Sequence, residues 1–410
     1  MRAYKYRIYP NKKQELLLTQ HFGCSRHVYN WALSEKEKHY KETGKSLSKR
    51  NLQDRLVASK KRDKPWLNKV NSQSLLASLA NLDKAFSNFF KGRAKFPRFK
   101  SKYAGWQSFQ CPQNVSANFE SNTVDLPKIK GIKSRLHRGF EGKIKTVTIK
   151  RSPSGKFFAS VLVDEQVHIP ISVTVDSEYT LGLDVGLEHM LIDSHGKKTE
   201  NPRFLKDSLN SLAVEQRRLS RKKQDSSNRA KQRRRVATVH EKVSNRRYDF
   251  IQKETAVLVN KSHVTTFAVE DLNIKSMVKN RKLSRAINDV SWGTFLSVLE
   301  YKCRWNGKNL VRIGRFQPSS KLCSECGIRK EKLPLSVRSW QCQHCQTLHD
   351  RDVNAAKNIR NFALADAPGH GVCVKSSSVA KPVSPGATAK GVEDSQHGSQ
   401  EAPTTTALAV

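Results

Sequence analysis

The sequence predicts an α/β domain with a mixed sheet, split by a small cysteine-rich module and preceded by a β-barrel that carries a helical insertion. Three observations lead to this fold class. Two short apolar strands, each ending in an acidic residue, flank a long helical region. Two Cys-x2-Cys pairs, separated by fifteen residues, follow these strands. A stretch over 104–180 that alternates polar and apolar residues precedes them, which is typical of antiparallel strands.

The N-terminal part is predicted to hold the barrel and its insertion. Residues 2–9 alternate basic and apolar side chains, and KIKTVTIK at 143–150 and FFASVLV at 157–163 flank a turn, which predicts a hairpin. Apolar residues spaced by three and four, among them Leu75, Leu79 and Phe86, predict amphipathic helices that pack on each other. We therefore assign 1–10 and 104–180 to the β-barrel and 11–103 to the helical insertion.

The charge of the chain predicts a polyanionic partner. Its 410 residues include 75 Lys and Arg against 36 Asp and Glu, a formal net charge of +39. Nucleic acid is the commonest partner of such a protein, and a merely basic, solvated surface is the alternative. No apolar run approaches the roughly 20 residues of a membrane span, so no membrane partner is expected. The absence of a secretory signal and four scattered cysteines predict a cytoplasmic protein.

Two segments concentrate the positive charge. Residues 91–103 alternate six cations with three aromatic residues, a pattern that suits phosphate contact and base stacking, although a solvated loop would look the same. Within the predicted helical region 203–260, residues 217–247 hold thirteen Lys and Arg but two acids, and this imbalance favours a nucleic-acid track over a solvated face. The predicted nucleic-acid contacts are Lys95, Arg98, Lys100, Arg217, Arg218, Arg221, Lys222, Arg233, Arg234 and Arg235.

Three acidic residues lie where strands end or a helix begins. Asp184 and Glu270 each end an apolar strand, and Asp352 lies near the start of the last helix. Carboxylates that meet at such positions repel one another unless they share a divalent cation, and two Mg²⁺ ions about 4 Å apart are the usual arrangement for cleaving phosphodiesters. Asp271 and Asp350 are the alternatives to the second and third acids. Strand alternation favours Glu270, and the Asp-x-Asn context favours Asp352.

Neighbours of these acids carry predictions of their own. Gly182 and Gly186 flank Asp184, and we expect them to leave room for a phosphate backbone. We expect Asn354 either to orient Asp352 or to cap its helix. Both expectations concern packing between segments that are far apart in the chain.

The cysteine pairs predict a structural zinc site. Cys323, Cys326, Cys342 and Cys345 have the spacing of a four-thiolate zinc ribbon, and a pair of disulfides is the disfavoured alternative. Four thiolates leave no open coordination position, so this Zn²⁺ would be structural. We assign 319–347 to the ribbon and 181–318 with 348–366 to the α/β domain. Residues 367–410 are rich in Ser, Pro, Gly, Ala and Thr, which predicts a disordered tail.

Several of these segments resemble the TnpB (OrfB) family, transposon-encoded RNA-guided DNA nucleases that are related to type V CRISPR effectors. The similar segments span roughly 1–365 and are YKYRIYPNKKQ at 4–14, SRHVYNWAL at 25–33, KFPRFKSK at 95–102, LGLDVGL at 181–187, VEDLNI at 269–274, QPSSKLCSECG at 317–327 and CQHCQTLHDRDVNAAKNI at 342–359. The resemblance implies an RNase H-like (RuvC) nuclease domain split by a zinc ribbon. It also implies a preceding wedge β-barrel with an inserted helical recognition domain.

The resemblance further implies a function. Asp184, Glu270 and Asp352 would be the catalytic acids, with two Mg²⁺ ions as their metals and one structural Zn²⁺ in the ribbon. The partners would be a guide RNA from the transposon end and double-stranded DNA beside a short transposon-adjacent motif. One protein copy would form a ribonucleoprotein at the nucleoid of a prokaryotic cell. The rival interpretations are a guide-dependent DNA-binding repressor, an RNA-independent transposase and a zinc-ribbon RNA-binding protein.

Overall fold

The computed structural model describes residues 1–366 except 104, 262 and 335. The predicted tail over 367–410 lies outside the described residues. Within the described residues, the chain forms a seven-stranded sheet, a five-stranded sheet and a two-stranded sheet. No helix among them is both long enough and apolar enough to cross a membrane.

The first sheet is antiparallel and is built around the N-terminal strand. Its strands are β1 Arg2–Tyr9, β2 Gln107–Cys111, β3 Ser116–Asn118, β4 Thr123–Leu126, β5 Ile129–Arg135, β6 Lys143–Arg151 and β7 Phe157–Asp164. The strand order is β2-β6-β7-β1-β5-β4-β3, so β1 lies in the middle of the sheet. Seven consecutive residue pairs join β1 to β7, which confirms that residues 2–9 pair with the later hairpin.

This sheet surrounds one core but is not closed by hydrogen bonds. Tyr6, Ile8, Phe109, Val124 and Val161 point from four different strands into a single apolar cluster. In the described chain, β2 and β3 end the strand order and no ladder joins them. The predicted barrel is therefore open along one side. Alternation in the sequence specifies which side chains face the core, whereas closure depends on strand lengths and stagger.

Three α-helices and one short 3-10 helix, Pro65–Lys69, are inserted between β1 and β2 in the described chain. The α-helices are α1 Lys12–Thr43, α2 Lys49–Arg62 and α3 Ser72–Phe90. Capping boxes at Asn11 and Ser48 satisfy the first backbone donors of α1 and α2. Leu75, Leu79 and Leu82 of α3 are buried in a core of their own with residues of α1 and α2. The predicted apolar stripe is thus a helix–helix contact.

The second sheet is mixed, as predicted. Its strands are β8 Thr180–Asp184, β9 His189–Asp193, β10 Lys198–Glu200, β11 Thr266–Glu270 and β12 Asn309–Ile313, in the order β10-β9-β8-β11-β12. The pairs β10–β9 and β9–β8 are antiparallel, whereas β8, β11 and β12 run parallel. Residues of β8 and β11 before the terminal acid are buried, because helices cover both faces of the sheet.

Up to residue 366, six α-helices follow the first strands of this sheet. They are α4 Phe204–Ser220, α5 Ser227–Val259, α6 Ile274–Met277, α7 Ser284–Val290, α8 Trp292–Trp305 and α9 Arg351–Ala365. The basic region 203–260 thus forms two helices. They are separated by a short segment that ends at Ser226, the N-cap of α5. Phe267 and Val269 pack in one core with α5 and α8, while Ala268 packs in another with α9. Between β12 and α9 lies the cysteine module, with β13 Ser339–Gln341 and β14 Leu348–Asp350.

Candidate functional site

Two of the predicted acids lie side by side at one edge of the mixed sheet. Leu183 of β8 is paired with Val269 of β11, and the next residues along the two parallel strands are Asp184 and Glu270. Because parallel strands end at the same edge of a sheet, both carboxylates leave the sheet at the same point. Register and topology, rather than proximity in the chain, bring these residues together.

Helix α9 brings the third acid to this edge. The helix packs across β8 in the opposite direction, since Arg360 donates from Nε to the Thr180 carbonyl at 3.0 Å, at the far end of the strand. The first turn of α9, with Asp352, therefore lies beside Asp184. Asp184 is partly buried, and this burial together with the charges of Glu270 and Asp352 raises its pKa to about 7. The structure thus brings the three acids of the sequence analysis into one cluster.

The alternative acids are engaged elsewhere. Asp271 is half-exposed and forms a 2.6 Å ion pair with Arg315. Asp350 accepts hydrogen bonds from the backbone N–H groups of Asp352 and Val353 at 3.0 Å, so it is the N-cap of α9. Its other carboxylate oxygen lies 2.6 Å from Nζ of Lys198. These residues have structural partners that account for their positions.

The three acids do not form a compact group like that of the cysteines. Across residues 1–366, leaving out the three undescribed positions, the four cysteines are the only group of three or more His, Cys, Asp or Glu side chains whose ligand atoms could hold one metal ion, and these atoms all lie within 4.8 Å of one another. Two cations about 4 Å apart need a wider set of ligands than one ion does. Hard carboxylate oxygens are also the donors that Mg²⁺ prefers, so these residues fit a pair of such ions.

The small residues beside Asp184 serve packing, not substrate access. A Cβ atom on Gly182 would lie 2.0 Å from the Ala356 carbonyl oxygen of α9, and one on Gly186 would lie 2.9 Å from the His189 carbonyl. The expectation that these glycines leave room for a phosphate backbone is therefore wrong. Gly182 is needed because the helix that carries the third acid lies directly on the strand.

Asn354 also has a role other than the two expected. Its side chain accepts from the Ser324 backbone N–H at 2.9 Å and donates to the Leu322 carbonyl at 2.7 Å. It therefore joins α9 to the cysteine module, while Asp350 caps the helix. Buried amides are rarely left unpaired, so this contact fixes the position of both segments.

Two further side chains touch the acidic cluster and were missed in the sequence analysis. Ser319 donates from Oγ to Oε1 of Glu270 at 2.6 Å. Arg338, from the cysteine module, lies 3.6 Å from Asp352 and 3.3 Å from Glu188 and offsets part of the cluster's negative charge. No sequence motif links either residue to the acids, because both contacts join segments that are separated in the chain.

The four cysteines form a compact cluster with the dimensions of a zinc site. Their sulfur atoms approach to 3.5 Å between Cys323 and Cys345 and to 3.6 Å between Cys326 and Cys342. Four sulfurs at the Zn–S distance of about 2.3 Å in a tetrahedron lie about 3.8 Å apart. The thiol groups therefore fit one Zn²⁺ with all four positions filled by protein.

The two cysteine pairs have the same backbone geometry. The carbonyls of Cys323 and Cys342 accept from the N–H groups of Gly327 and Gln346, both at 3.0 Å, and both of these residues have a positive φ. His349, buried and packed against Trp340 with the rings tilted by 37°, places Nε2 3.1 Å from the Cys323 sulfur, where it orients that ligand. In the sequence, the glycine at 327 indicates the turn after the first cysteine pair, whereas no pattern indicates the role of His349.

The predicted nucleic-acid contacts are exposed and fall into two groups. Lys95, Arg98 and Lys100 follow α3, and the others lie on α4, on α5 or between them. The two groups meet where Arg233 of α5 lies over the Tyr103 ring, 6.0 Å from its centre. Lys100 differs from the rest because its ammonium group lies 3.9 Å from the ring centre of Tyr29. The structure thus joins two basic segments into one surface.

Comparisons with known proteins agree with this architecture. Residues 1–45 match the OrfB IS605 helix-turn-helix domain family, 160–281 the OrfB IS605 family described as a probable transposase, and 292–359 the Cas12f1-like TNB domain family. In the structure, residues 1–45 hold one strand and one continuous helix. Cas12f1, solved by cryo-EM in complex with sgRNA and target DNA, has a TM-score of 0.52 at 15% identity, covering 86% of this chain and 83% of that one, which shows a shared fold.

Two relatives carry the name "Putative RNA-guided DNA endonuclease". The protein from Streptomyces pristinaespiralis is 39% identical over 376 residues, which are 90% of this chain and 92% of the relative. InsQ from Escherichia coli K12 is 30% identical over 388 residues, which are 91% of this chain and 93% of the relative. Identity at this level along almost the whole of both sequences shows that the chain belongs to the TnpB (OrfB) family of transposon-encoded RNA-guided DNA endonucleases.

Proposed function

We propose that the chain is an Mg²⁺-dependent endonuclease that cleaves double-stranded DNA beside a short transposon-adjacent motif, at sites selected by a guide RNA from the transposon end. The observation that carries this proposal is the cluster of Asp184, Glu270 and Asp352, which meet from two strands and a helix. The names of the two relatives support the same reaction. All three acids are present, whereas a DNA-binding repressor descended from such a nuclease would not need them.

The acidic cluster is suited to holding two divalent cations. Asp184, Glu270 and Asp352 would bind two Mg²⁺ ions, which supply an activated water and stabilise the leaving oxygen of a phosphodiester. With its pKa raised to about 7, Asp184 is partly protonated near neutral pH before any cation binds. Cation binding by these residues would therefore release protons, and α9 holds Asp352 at the same edge of the sheet.

The positive charge of the chain is suited to the proposed nucleic-acid partners. Lys95 and Arg98 on one segment and Arg233, Arg234 and Arg235 on another present exposed cations on a joined surface. Such a surface contacts phosphates and does not read base sequence. In guided nucleases the sequence is read by base pairing with the RNA, and the protein recognises the shape of the heteroduplex. We propose one protein copy per guide RNA, in the cytoplasm at the nucleoid.

Sequencing the RNA that copurifies with the chain tests the proposal and supplies the guide. The ribonucleoprotein should cut plasmid DNA that matches the guide, and only with Mg²⁺. Asp184→Ala should abolish cutting but keep guided DNA binding. Cutting retained in Asp184→Ala would refute the site assignment.

The rival functions give different results in the same assay. An RNA-independent transposase would cleave or join DNA equally well after the RNA is removed. A repressor would bind the guided target with no cleavage by the wild-type protein. A zinc-ribbon RNA-binding protein would show neither guided DNA binding nor cleavage.

A further inference from the structure

The hydrogen bond between Ser319 and Glu270 suggests how one acid of the cluster is held. We propose that Ser319 is a positioning residue that orients Glu270 for cation binding, and that the folded zinc ribbon keeps Ser319 in place. The inference rests on the proposed nuclease function. It adds a coupling between the two metal sites of the chain.

Ser319 restrains the side chain of Glu270 through a hydrogen bond. Within the described part of the chain, Ser319 is the only residue whose side chain hydrogen-bonds to the Glu270 carboxylate, at 2.6 Å. Ser319 is 8% exposed, so water competes little for this contact. A hydrogen bond to a carboxylate is short and strong, and it engages one oxygen while leaving the other free. Glutamate loses considerable rotamer freedom when it is ordered, and a fixed donor lowers that cost at the moment of metal binding.

Ser319 is in turn held by the helix that carries Asp352. Asn358 of α9 donates from Nδ2 to the carbonyls of Ser319 and Leu322, at 2.7 and 2.6 Å. Asn354, one turn earlier, donates to the same Leu322 carbonyl and accepts from the Ser324 N–H. Both asparagines are 1% exposed. Because buried amides need all of their partners, this arrangement holds the segment in one conformation.

The other end of this segment is a zinc ligand. Cys323 lies four residues after Ser319 and directly after Leu322, the shared acceptor of both asparagines. The Cys323 N–H donates to the Ile328 carbonyl at 3.0 Å, which closes the first knuckle of the ribbon. A continuous series of contacts therefore joins the zinc cluster to Glu270. It runs along the backbone from Cys323 to Leu322, which α9 holds, and on to Ser319, whose side chain contacts the Glu270 carboxylate. Partners that orient metal ligands from outside typically change metal affinity 10–100-fold when mutated.

The test measures cation binding directly, on full-length protein loaded with zinc. Mn²⁺ replaces Mg²⁺ as the probe in calorimetric titrations, and Asp184→Ala defines the signal that belongs to the acidic cluster. Ser319→Ala should weaken the Asp184-dependent binding of Mn²⁺ on the order of 10-fold. Ser319→Thr, which keeps the hydroxyl, should restore most of the affinity. Ser320→Ala is the matched control, because it changes a neighbouring serine and should bind as the wild type does.

Two further readouts separate positioning from folding. Ser319→Ala should keep one zinc per chain by elemental analysis. In the ribonucleoprotein it should raise the Mg²⁺ concentration for half-maximal cleavage, with the rate recovering at saturating Mg²⁺. If Ser319→Ala binds Mn²⁺ as tightly as the wild type does, or if it loses its zinc, the inference about Ser319 is wrong while the proposed function still stands. If the wild type shows no Asp184-dependent Mn²⁺ binding, the proposed function fails and the inference fails with it.

Discussion

Asp184 is a partly buried carboxyl group with two carboxylates as charged neighbours. Burial is the largest cause of its raised pKa of about 7, and the charges of Glu270 and Asp352 add to it. Ionising such a group costs free energy unless a cation arrives. In the metal-free protein a proton takes the place of that cation.

This pKa predicts how stability varies with pH. The folded-state pKa lies above the ordinary value of 3.8, so the folded protein keeps a proton that the unfolded chain releases, and stability falls as pH rises from about 4 to about 7. Without added Mg²⁺, Asp184→Asn should remove this part of the decline. It should also raise the free energy of unfolding at pH 7.5 by roughly 2–4 kcal/mol in denaturant titrations. Asp271→Asn, at the neighbouring half-exposed carboxylate, is the control, and equal behaviour of the two variants would contradict the account.

Gly182 gives a second prediction at the level of one residue. A methyl group there would meet the Ala356 carbonyl at 2.0 Å, so Gly182→Ala must push α9 away from β8. We expect a loss of about 3 kcal/mol in the free energy of unfolding. Gly23→Ala, within α1 and with no atom within 4 Å of the added methyl, should instead stabilise the protein by about 0.5–1 kcal/mol. A neutral Gly182→Ala would show that the helix does not pack so closely.

At the scale of elements, α9 connects the two candidate metal centres. It begins at the cap Asp350, carries Asp352 on its first turn, and presents Asn354 and Asn358 to the ribbon. Its contact with Gly182 holds it along β8. One helix thus sets the position of an acid and of the segment that enters the zinc site.

The cap and the acid of α9 should respond differently to mutation. Asp350→Asn retains an acceptor for the helix N-terminus, whereas Asp350→Ala should cost about 1 kcal/mol of stability. Both should still cleave DNA, since the cap is not a proposed metal ligand. Asp352→Asn should fold normally and fail to cleave. If Asp350→Asn loses cleavage and Asp352→Asn keeps it, Asp350 would be the catalytic acid and Asp352 would not.

We expect the cysteine module to need the proposed Zn²⁺ in order to stay folded. The strands β13 and β14 have three residues each, and the small apolar cluster beside them is built in part from the four cysteines themselves. Metal binding therefore supplies much of its folding free energy. Removing zinc with a chelator should abolish amide-exchange protection in 319–347 and preserve it in β6 and β7. Unchanged protection of the ribbon would contradict a structural zinc.

At the scale of the whole molecule, local patterns and long-range contacts differ in how well they can be predicted. The hairpin expected at 143–150 and 157–163 is found at Lys143–Arg151 and Phe157–Asp164, because alternation and turn residues are local signals. The positions of Asp184, Glu270 and Asp352 at strand and helix ends are likewise local signals. The contact of Ser319 with Glu270, 49 residues away, has no local signal, and neither has the helix that fills the space at Gly182. Such contacts arise only when the elements pack.

In the proposed nuclease, three distant acids meet around shared divalent cations. Anomalous diffraction from crystals soaked in Mn²⁺ would locate those cations. We predict two peaks about 4 Å apart between the carboxylates of Asp184, Glu270 and Asp352, both absent in Asp184→Ala. Crystals in which Mn²⁺ binds elsewhere, with no peak among these three carboxylates, would contradict the account.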